Sequence, residues 1–232
     1  MKSIEFQKTG VINIIPSYLS DMIFDKERYK DDSRWSIHWL TELQHNEHWN
    51  LPNAYVNVLY NYRNQIPNID SIVDAIETGT HTANTTEILC EHFERVFTVE
   101  KDIAQNPYGE KNLDVIYRRI KDKHDHVTFL HGDSAAALKD TLLANPDTTF
   151  FFFLDAHVCG QTALVSELKA IKKYSNKTDH VILVDDCNEL GTGQWPSRAE
   201  LDVLLLDINP EYVISTIPII RDIINVGAWI QK

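Results

Sequence analysis

The chain changes its hydrophobic pattern close to residue 70. From Ser71 onward, short apolar runs alternate with amphipathic segments of helical length, which is typical of strand–helix–strand crossovers around a mostly parallel sheet. The runs FFFFLD and VILVDD are apolar almost throughout, as expected for strands buried on both faces. The predicted strands are 71–77, 95–100, 126–133, 148–157, 180–186, 212–220 and 225–231, and the predicted helices are 83–93, 112–123, 134–144, 164–174 and 197–208.

Residues 1–68 follow a different pattern. The stretch WSIHWLTELQHNEHW places Trp35, Trp39 and Leu43 at helical spacing, which gives one apolar stripe. We therefore predict an N-terminal helical extension over 1–68 that caps the substrate side, followed by a single α/β domain over 69–232. The aromatic extension is also a candidate interface for a homodimer.

Composition narrows the classes of partner. The 232 residues carry a formal net charge of -12, whereas a nucleic-acid-binding protein usually shows a basic stripe. No apolar run is long enough to span a bilayer, and the N-terminus has no signal-peptide core. The three cysteines are scattered without zinc-ligand spacing, which indicates a reducing, cytoplasmic setting. We expect a cytoplasmic protein that binds a small molecule, with neither a nucleic-acid nor a membrane partner.

Every predicted parallel strand ends in an acidic residue. Ligands of open α/β sheets bind beyond the carboxyl ends of the strands, so these positions test for a binding site. One or two acids there would mean little because strand ends are solvated, but five successive acidic ends indicate a shared anionic rim. The residues are Glu77, Glu100, Asp133, Asp155 and the pair Asp185–Asp186, with His157 two positions after Asp155.

The turn after the first strand, ETGTHTANTT, indicates what this rim binds. A pyrophosphate-binding turn needs several glycines, whereas only Gly79 is present here, so pyrophosphate binding is disfavoured. Glu77 would repel a phosphate and attract an ammonium or a sulfonium group. Glu100 can accept hydrogen bonds from both hydroxyls of a ribose, and Asp133 can accept from an adenine amino group. A cationic amino-acid end, a ribose and an adenine together describe S-adenosylmethionine.

These motifs resemble those of the class I S-adenosylmethionine-dependent methyltransferase family over roughly 71–232. ETGTHTANTT resembles the family's first motif, TVEKD its acidic second motif, and HGDS, LDAHVCGQTA and VILVDD a bacterial and viral subgroup with an LDAH…TA…DD pattern. The departures are Ala83, where many relatives carry glycine, and a shortened stretch after Thr162. The resemblance implies a Rossmann-like α/β fold: a seven-stranded, mostly parallel sheet in the order 3-2-1-4-5-7-6, with the last strand antiparallel and helices on both faces. It also implies cofactor contacts from Glu77, Thr78, Gly79, Thr80, Glu100, Asp133, Ser134 and Asp155.

The acids after the fourth and fifth strands predict a metal site. Asp155, Asp185 and Asp186 should converge at the mouth of adjacent strands, where two carboxylates about 4 Å apart repel by roughly 4 kcal/mol. A divalent cation would compensate, and oxygen-only ligands favour Mg²⁺, Mn²⁺ or Ca²⁺ over zinc. Helix capping or loop hydrogen bonding by the acid pair is the alternative. The arrangement is similar to that of metal-dependent O-methyltransferases, which implies these three aspartates as the metal ligands.

The expected reaction is transfer of a methyl group to a hydroxyl oxygen of a small molecule, with Asp155 and His157 as the catalytic residues. His157 could be the general base, a metal ligand or a structural histidine. A metal-independent methyltransferase with a nitrogen or oxygen acceptor is a second hypothesis. A non-catalytic cofactor-binding module, an NAD-dependent enzyme and a pure interaction protein are further alternatives.

Overall fold

The computed structural model describes residues 71–81, 83–101, 113–158, 160–218 and 224–230. The predicted helical extension over 1–68, with its tryptophan stripe, lies outside the described residues, and so does Cys159. None of the helices in the described part of the chain is long and apolar enough to cross a lipid bilayer.

Strands and helices alternate along the described chain up to the last two strands, which pair with each other. The strands of the large sheet are β1 (Asp74–Thr78), β2 (Arg95–Glu100), β3 (Val127–His131), β4 (Phe150–Leu154), β5 (Val181–Val184), β6 (Tyr212–Pro218) and β7 (Ile224–Ile230). The helices are α1 (Asn84–His92), α2 (Leu113–Lys121), α3 (Ser134–Ala144), α4 (Leu164–Tyr174) and α5 (Arg198–Ile208).

The strand order of the large sheet confirms the predicted 3-2-1-4-5-7-6. Strands β1 to β5 pair in parallel, and β7 runs antiparallel to both of its neighbours, β5 and β6. The order reverses between β1 and β4, where successive crossovers leave in opposite directions. Because crevices at such a point receive ligands in open α/β sheets, the site is expected beyond the ends of these two strands.

The central strand β4 separates two hydrophobic cores. Its four phenylalanines, Phe150 to Phe153, are all fully buried. Phe151 and Phe153 pack with residues of α1 and α2, whereas Phe150 and Phe152 pack with residues of α3, α4 and α5. The uninterrupted apolar run therefore reflects burial on both faces, as predicted.

The strand boundaries differ from the prediction in a way that matters for the site. β4 ends at Leu154 and β5 at Val184, so Asp155 and the Asp185–Asp186 pair lie just beyond the paired backbone. Glu77, in contrast, lies inside β1. A short hairpin that was not predicted follows β4 and pairs His157–Val158 with Gln161–Thr162.

Candidate functional site

The ends of β1, β4 and β5 lie side by side, and the register places their last residues in one row. Thr78 pairs with Leu154, and Leu154 pairs with Val184. On the other side of β1, Glu100 at the end of β2 pairs with His131 at the end of β3. The predicted acidic positions therefore belong to one rim of the sheet, because parallel strands end at the same edge.

Gly79 in the turn after β1 lies against the turn after β4. Its φ is +88°, and a Cβ atom at this position would lie 2.6 Å from the carbonyl oxygen of Asp155. The glycine is therefore required by contact between two protein backbones, a reason that the sequence did not suggest. Ala83, the position where glycine was expected, also has a left-handed conformation with φ of 61° and precedes α1.

The backbone donors of this turn are used inside the protein. The N–H groups of Gly79 and Thr80 both donate to the carbonyl of Val99, at 2.9 and 3.2 Å. The N–H of His81 donates to the Glu100 carboxylate at 2.8 Å. Three successive amides that could otherwise donate to a phosphate therefore already have acceptors within the protein.

Glu77 lies beneath the rim, 1% exposed. One carboxylate oxygen accepts hydrogen bonds from the hydroxyls of Thr86 on α1 and Thr98 on β2, the latter at 2.6 Å. The Thr98 hydroxyl also lies 2.6 Å from that of Thr80. Burial raises the pKa of Glu77 to about 8, although the two threonine hydroxyls lower it. Glu77 therefore joins β1, β2 and α1 below the turn.

Glu100 and Asp133 face outward on the other half of the rim. Glu100 accepts hydrogen bonds from the backbone N–H of His81 and of Lys101, the latter at 2.9 Å. Asp133 precedes α3, and its carboxylate accepts from the N–H of Ala136 at 3.1 Å. Both carboxylates are thus held in place by backbone donors while remaining accessible.

The turns after β4 and β5 bring two acids to one histidine. Nε2 of His157 lies 3.3 Å from Oδ1 of Asp155 and 3.1 Å from Oδ2 of Asp186. The imidazole ring also packs against Trp195, with 5.7 Å between the ring centroids. The histidine is placed there by the short hairpin after β4, so its position depends on tertiary structure.

The electrostatics of this group follow from two acids facing one base. Hydrogen bonds to Asp155 and Asp186 raise the pKa of His157 to about 10, against the opposing effect of burial. Burial raises the pKa of Asp155 to about 6, although His157 lowers it. At neutral pH, His157 is therefore an imidazolium that neutralises part of the acidic charge.

Asp185 and Asn225 are buried without hydrogen-bond partners. Asp185 is 1% exposed, Asn225 is 0% exposed, and none of their side-chain oxygen and nitrogen atoms has a partner among the described residues. Val184 pairs with Val226, so Asp185 and Asn225 are the next residues toward the rim on neighbouring strands. Burial and the nearby acids hold the pKa of Asp185 well above its usual range. The sequence analysis did not identify Asn225.

The donor set at the rim fits a divalent cation. Asp155, His157 and Asp186 each offer one ligand atom, and these atoms lie within 4.8 Å of one another. The predicted set had Asp185 in place of His157. An imidazole nitrogen beside two carboxylates suits Mn²⁺, Fe²⁺ or Zn²⁺ better than the all-oxygen set that was expected. Both side-chain oxygens of Asp185 lack a hydrogen-bond partner among the described residues, and a nearby cation would compensate for this.

Glu167 is a buried acid that was not among the residues predicted from the sequence. It lies in the first part of α4, 1% exposed, and it faces the hydroxyls of Thr78 and Ser134. The sequence does contain a signal, because Glu167 occupies an apolar position of the LVSELKAI pattern. Thr78 and Ser134 were themselves predicted to contact the cofactor, and both are buried.

The predicted site residues fall into two groups according to their exposure to solvent. Gly79, Glu100, Asp133, Asp155 and Asp186 are accessible to some degree, together with His157. Glu77, Thr78, Thr80, Ser134 and Asp185 lie beneath them. All of them belong to the same edge of the sheet.

Comparison with solved structures agrees with this architecture. No protein-family model matches the sequence, and no curated protein is significantly similar to it in sequence. The O-methyltransferase from Bacillus cereus in complex with SAH is similar with a TM-score of 0.54, over 94% of this chain and 92% of that chain, at 15% identity. A SAM-dependent methyltransferase from Anabaena variabilis has a TM-score of 0.48, with 78% and 85% covered at 12% identity. The mitomycin 7-O-methyltransferase has a TM-score of 0.49, with 92% and 60% covered at 14% identity.

At 15% identity, the similarity to the Bacillus cereus protein shows a shared fold and nothing finer. The family resemblance noted in the sequence is supported at that level, whereas the finer subgroup pattern remains a prediction. The chain has a seven-stranded Rossmann-like fold, and it shares that fold with a structurally characterised O-methyltransferase.

Proposed function

We propose that this protein is an S-adenosylmethionine-dependent methyltransferase that methylates a hydroxyl oxygen of a small molecule with the help of a divalent metal ion. The observation that carries the proposal is the group formed by Asp155, His157 and Asp186. It lies next to the glycine turn of β1, where Gly79 contacts the backbone of Asp155. A cofactor site and an acid–base group are therefore adjacent.

The cofactor side of the proposal rests on the outward-facing acids. Glu100 is held by two backbone N–H groups and keeps lone pairs for the two hydroxyls of a ribose. Asp133 lies at the start of the next helix, where it can accept from an adenine amino group. The internal use of the amides of Gly79 and Thr80 disfavours NAD, because a pyrophosphate would lack donors in this turn. The O-methyltransferase of the same fold that holds SAH supports this choice of cofactor.

The reaction is an in-line displacement at the methyl carbon. The acceptor oxygen forms a bond to the methyl group, the carbon–sulfur bond breaks, and the sulfonium becomes the thioether of S-adenosylhomocysteine. The protein aligns acceptor oxygen, methyl carbon and sulfur, which can remove several kcal/mol from the barrier. The anionic rim favours the positively charged donor over the neutral product.

The proton released by the acceptor hydroxyl needs a base near neutral pH. With a pKa raised to about 6, Asp155 is mostly ionised at pH 7 and still basic enough to accept this proton. His157 already carries a proton when its pKa is about 10, so we assign it to holding Asp155 and Asp186 in place. A divalent ion would bind Asp155, His157 and Asp186 only after displacing this proton of His157, and it would then lower the pKa of the acceptor hydroxyl.

Calorimetry tests the cofactor assignment. The full chain is titrated with S-adenosylhomocysteine and, separately, with NAD, and Glu100→Ala is compared with Glu94→Gln. Glu94 is exposed and lies just before β2, so its variant is a control for charge alone. We expect binding of S-adenosylhomocysteine only, weakened at least about tenfold by Glu100→Ala. Tight NAD binding without a response to S-adenosylhomocysteine would overturn the proposal.

A metal-independent methyltransferase is the second candidate, and one observation favours it. Nε2 of His157 lies within 3.3 Å of Asp155 and 3.1 Å of Asp186, so a protonated His157 offsets part of their charge and lessens the need for a metal ion. Transfer of the radiolabelled methyl group to panels of hydroxyl and amine acceptors, with and without EDTA, separates the two. Activity that survives chelation and Asp186→Asn selects the metal-independent reaction.

A further inference from the structure

Glu167 occupies a position that the pattern of α4 reserves for an apolar side chain. Leu164, Leu168 and Ile171 form the inner stripe of this helix, and each is at most 2% exposed. Glu167 lies on the same stripe, three residues after Leu164, and is 1% exposed. Burial of a carboxyl group is costly, so a leucine here would serve the core better. Packing therefore does not explain why a glutamate occupies this position.

Glu167 lies near the start of α3 and the end of β1. Its carboxyl faces the hydroxyls of Ser134, the first residue of α3, and Thr78, the last residue of β1. Burial raises the pKa of Glu167 to about 7, although the two hydroxyls lower it. Its Oε1 atom has no hydrogen-bond partner among the described residues.

Thr78 links Glu167 to the turn after β4. The hydroxyl oxygen of Thr78 accepts from the backbone N–H of Asp155 at 3.2 Å, and its carbonyl accepts from the same group at 3.1 Å. The hydroxyl proton of Thr78 is then left for Glu167. On the other side, Ser134 directly follows Asp133, the residue that caps α3. The buried carboxyl of Glu167 thus faces the end of β1 and the start of α3. Thr78 in turn accepts from the backbone N–H of Asp155 in the turn after β4.

We propose that Glu167 is a positioning residue of the cofactor site, which fixes Thr78, Asp155 and the Asp133–Ser134 segment relative to one another. The inference rests on the proposed binding of S-adenosylmethionine. These segments carry the residues expected to contact the cofactor, and they come from different parts of the chain. A neutral side chain at this position is a weaker acceptor for the two hydroxyls, so the site is less preorganised and binds the cofactor more weakly.

A positioning role differs from a structural role in its effect on stability. Because the carboxyl group is buried at a cost, Glu167→Gln keeps the shape and removes the charge, and we expect its melting temperature at pH 8 to equal or exceed that of the unmodified chain. We expect its dissociation constant for S-adenosylhomocysteine to rise about tenfold. Ile171→Val on the same helix stripe is the control: it lowers stability by removing a core methylene but leaves the dissociation constant unchanged.

A double-mutant cycle locates the effect. Thr78→Val removes the hydroxyl and Thr78→Ser keeps it, so only the former should weaken binding of S-adenosylhomocysteine in calorimetry. The double variant, Glu167→Gln with Thr78→Val, should bind S-adenosylhomocysteine with the affinity of the weaker-binding single variant. The two losses do not add, because both changes break the same connection. Restored affinity in Thr78→Ser is a result that a general loss of packing would not give.

The outcomes distinguish the two proposals. If the unmodified chain does not bind S-adenosylhomocysteine, the proposed cofactor is wrong and the inference falls with it. If it binds, and Glu167→Gln binds equally well, only the role of Glu167 is refuted. If Glu167→Gln loses affinity and stability together while the cycle is additive, Glu167 is a structural acid and the inference is refuted.

Discussion

Nε2 of His157 lies 3.1 Å from Oδ2 of Asp186, so a residue of the hairpin after β4 reaches a residue of the turn after β5. Asp155 approaches the same nitrogen from the other side at 3.3 Å. A proton on His157 and a divalent cation would compete for the same lone pair. Binding of a metal ion should therefore release a proton and depend on all three side chains.

The first prediction concerns this competition. The full chain should bind Mn²⁺ and release a proton. Asp186→Asn should weaken this binding at least about tenfold, because substitution of residues that merely support a metal ligand already costs this much affinity. Electron paramagnetic resonance of free Mn²⁺ measures the affinity. Asp140→Asn, an exposed acid on α3, controls for net charge. Equal affinities of the unmodified chain and Asp186→Asn would rule out this site.

The donor set can be resolved by two further variants. His157→Gln tests the group that the structure assembles, and Asp185→Asn tests the set predicted from the sequence. Both side-chain oxygens of Asp185 are buried and lack a hydrogen-bond partner in the described part of the chain, so its substitution should also stabilise the metal-free chain. If Asp185→Asn loses Mn²⁺ affinity and His157→Gln does not, the ligands are the three aspartates predicted from the sequence.

The second prediction concerns close backbone contact at Gly79. Gly79→Ala places a Cβ atom 2.6 Å from the carbonyl oxygen of Asp155 in a left-handed conformation. Gly191→Ala is the matched control, because its φ is +83° but no atom of the described residues lies within 4 Å of the added methyl. We expect Gly191→Ala to cost about 1 kcal/mol of unfolding free energy, and Gly79→Ala about 3 kcal/mol because overpacking adds to the strain. Urea denaturation measures both, and equal costs would contradict the contact.

The third prediction uses the buried carboxyl of Glu77. Its pKa is about 8 in the folded chain and 4.5 without the fold, so the folded state binds more protons between these values and stability falls as pH rises through them. Glu77→Gln lacks this dependence. Its stability relative to the unmodified chain should improve by on the order of 4 kcal/mol between pH 4.5 and pH 8.5.

Chemical denaturation across this pH range gives the measurement for Glu77→Gln. The exposed Glu94→Gln should show no such change relative to the unmodified chain. If Glu77 also attracts the sulfonium group of the cofactor, Glu77→Gln should lose part of the preference for S-adenosylmethionine over S-adenosylhomocysteine. A flat stability difference would mean that Glu77 is ionised in the folded chain.

The fourth prediction concerns the buried His180. Its effect on the pH dependence of stability is opposite to that of Glu77. Its Nδ1 accepts from the backbone N–H of Phe150 at 3.0 Å, and its Nε2 lies 2.8 Å from the hydroxyl of Ser175. Burial lowers its pKa from 6.5 to about 4, so the unfolded chain binds more protons in this window and stability falls as pH drops from 6.5 toward 4.

His180→Asn keeps an acceptor for Phe150 and removes the titration. The variant should be less stable at pH 7, because a packed ring is lost. Relative to the unmodified chain, it should regain on the order of 3 kcal/mol between pH 6.5 and pH 4. His131→Asn, an exposed histidine at the end of β3, is the control. An unchanged difference across this window would show that His180 is protonated in the fold.

Much of the fold could be predicted because its signals are local. Apolar runs of strand length and amphipathic helices alternate, and parallel crossovers allow few arrangements. The acids that end each strand could be recognised for the same reason, since parallel strands bring their carboxyl ends to one edge. Strand limits were less well defined: Glu77 lies within β1, whereas Asp155 lies beyond β4.

The details of the site depended on contacts between distant segments. Nothing near Gly79 in sequence reveals that the backbone of Asp155 lies against it. Asn225 becomes notable only when β7 places it next to Asp185, with no hydrogen-bond partner for its side chain among the residues that the structure describes. Glu167 interrupts an apolar stripe in the sequence, but a role for it can be inferred only because the fold brings Thr78 and Ser134 close to it.

By itself, the sequence determined the alternation of strands and helices, the double-sided burial of β4 and the presence of an acidic edge. These properties depend on the hydrophobic period and on which residue follows each strand. Only the tertiary structure decided which acids are exposed, which are buried with raised pKa, and that His157 lies between Asp155 and Asp186. The physical reason is that protonation and metal affinity depend on distances and burial across the fold, which no local pattern encodes.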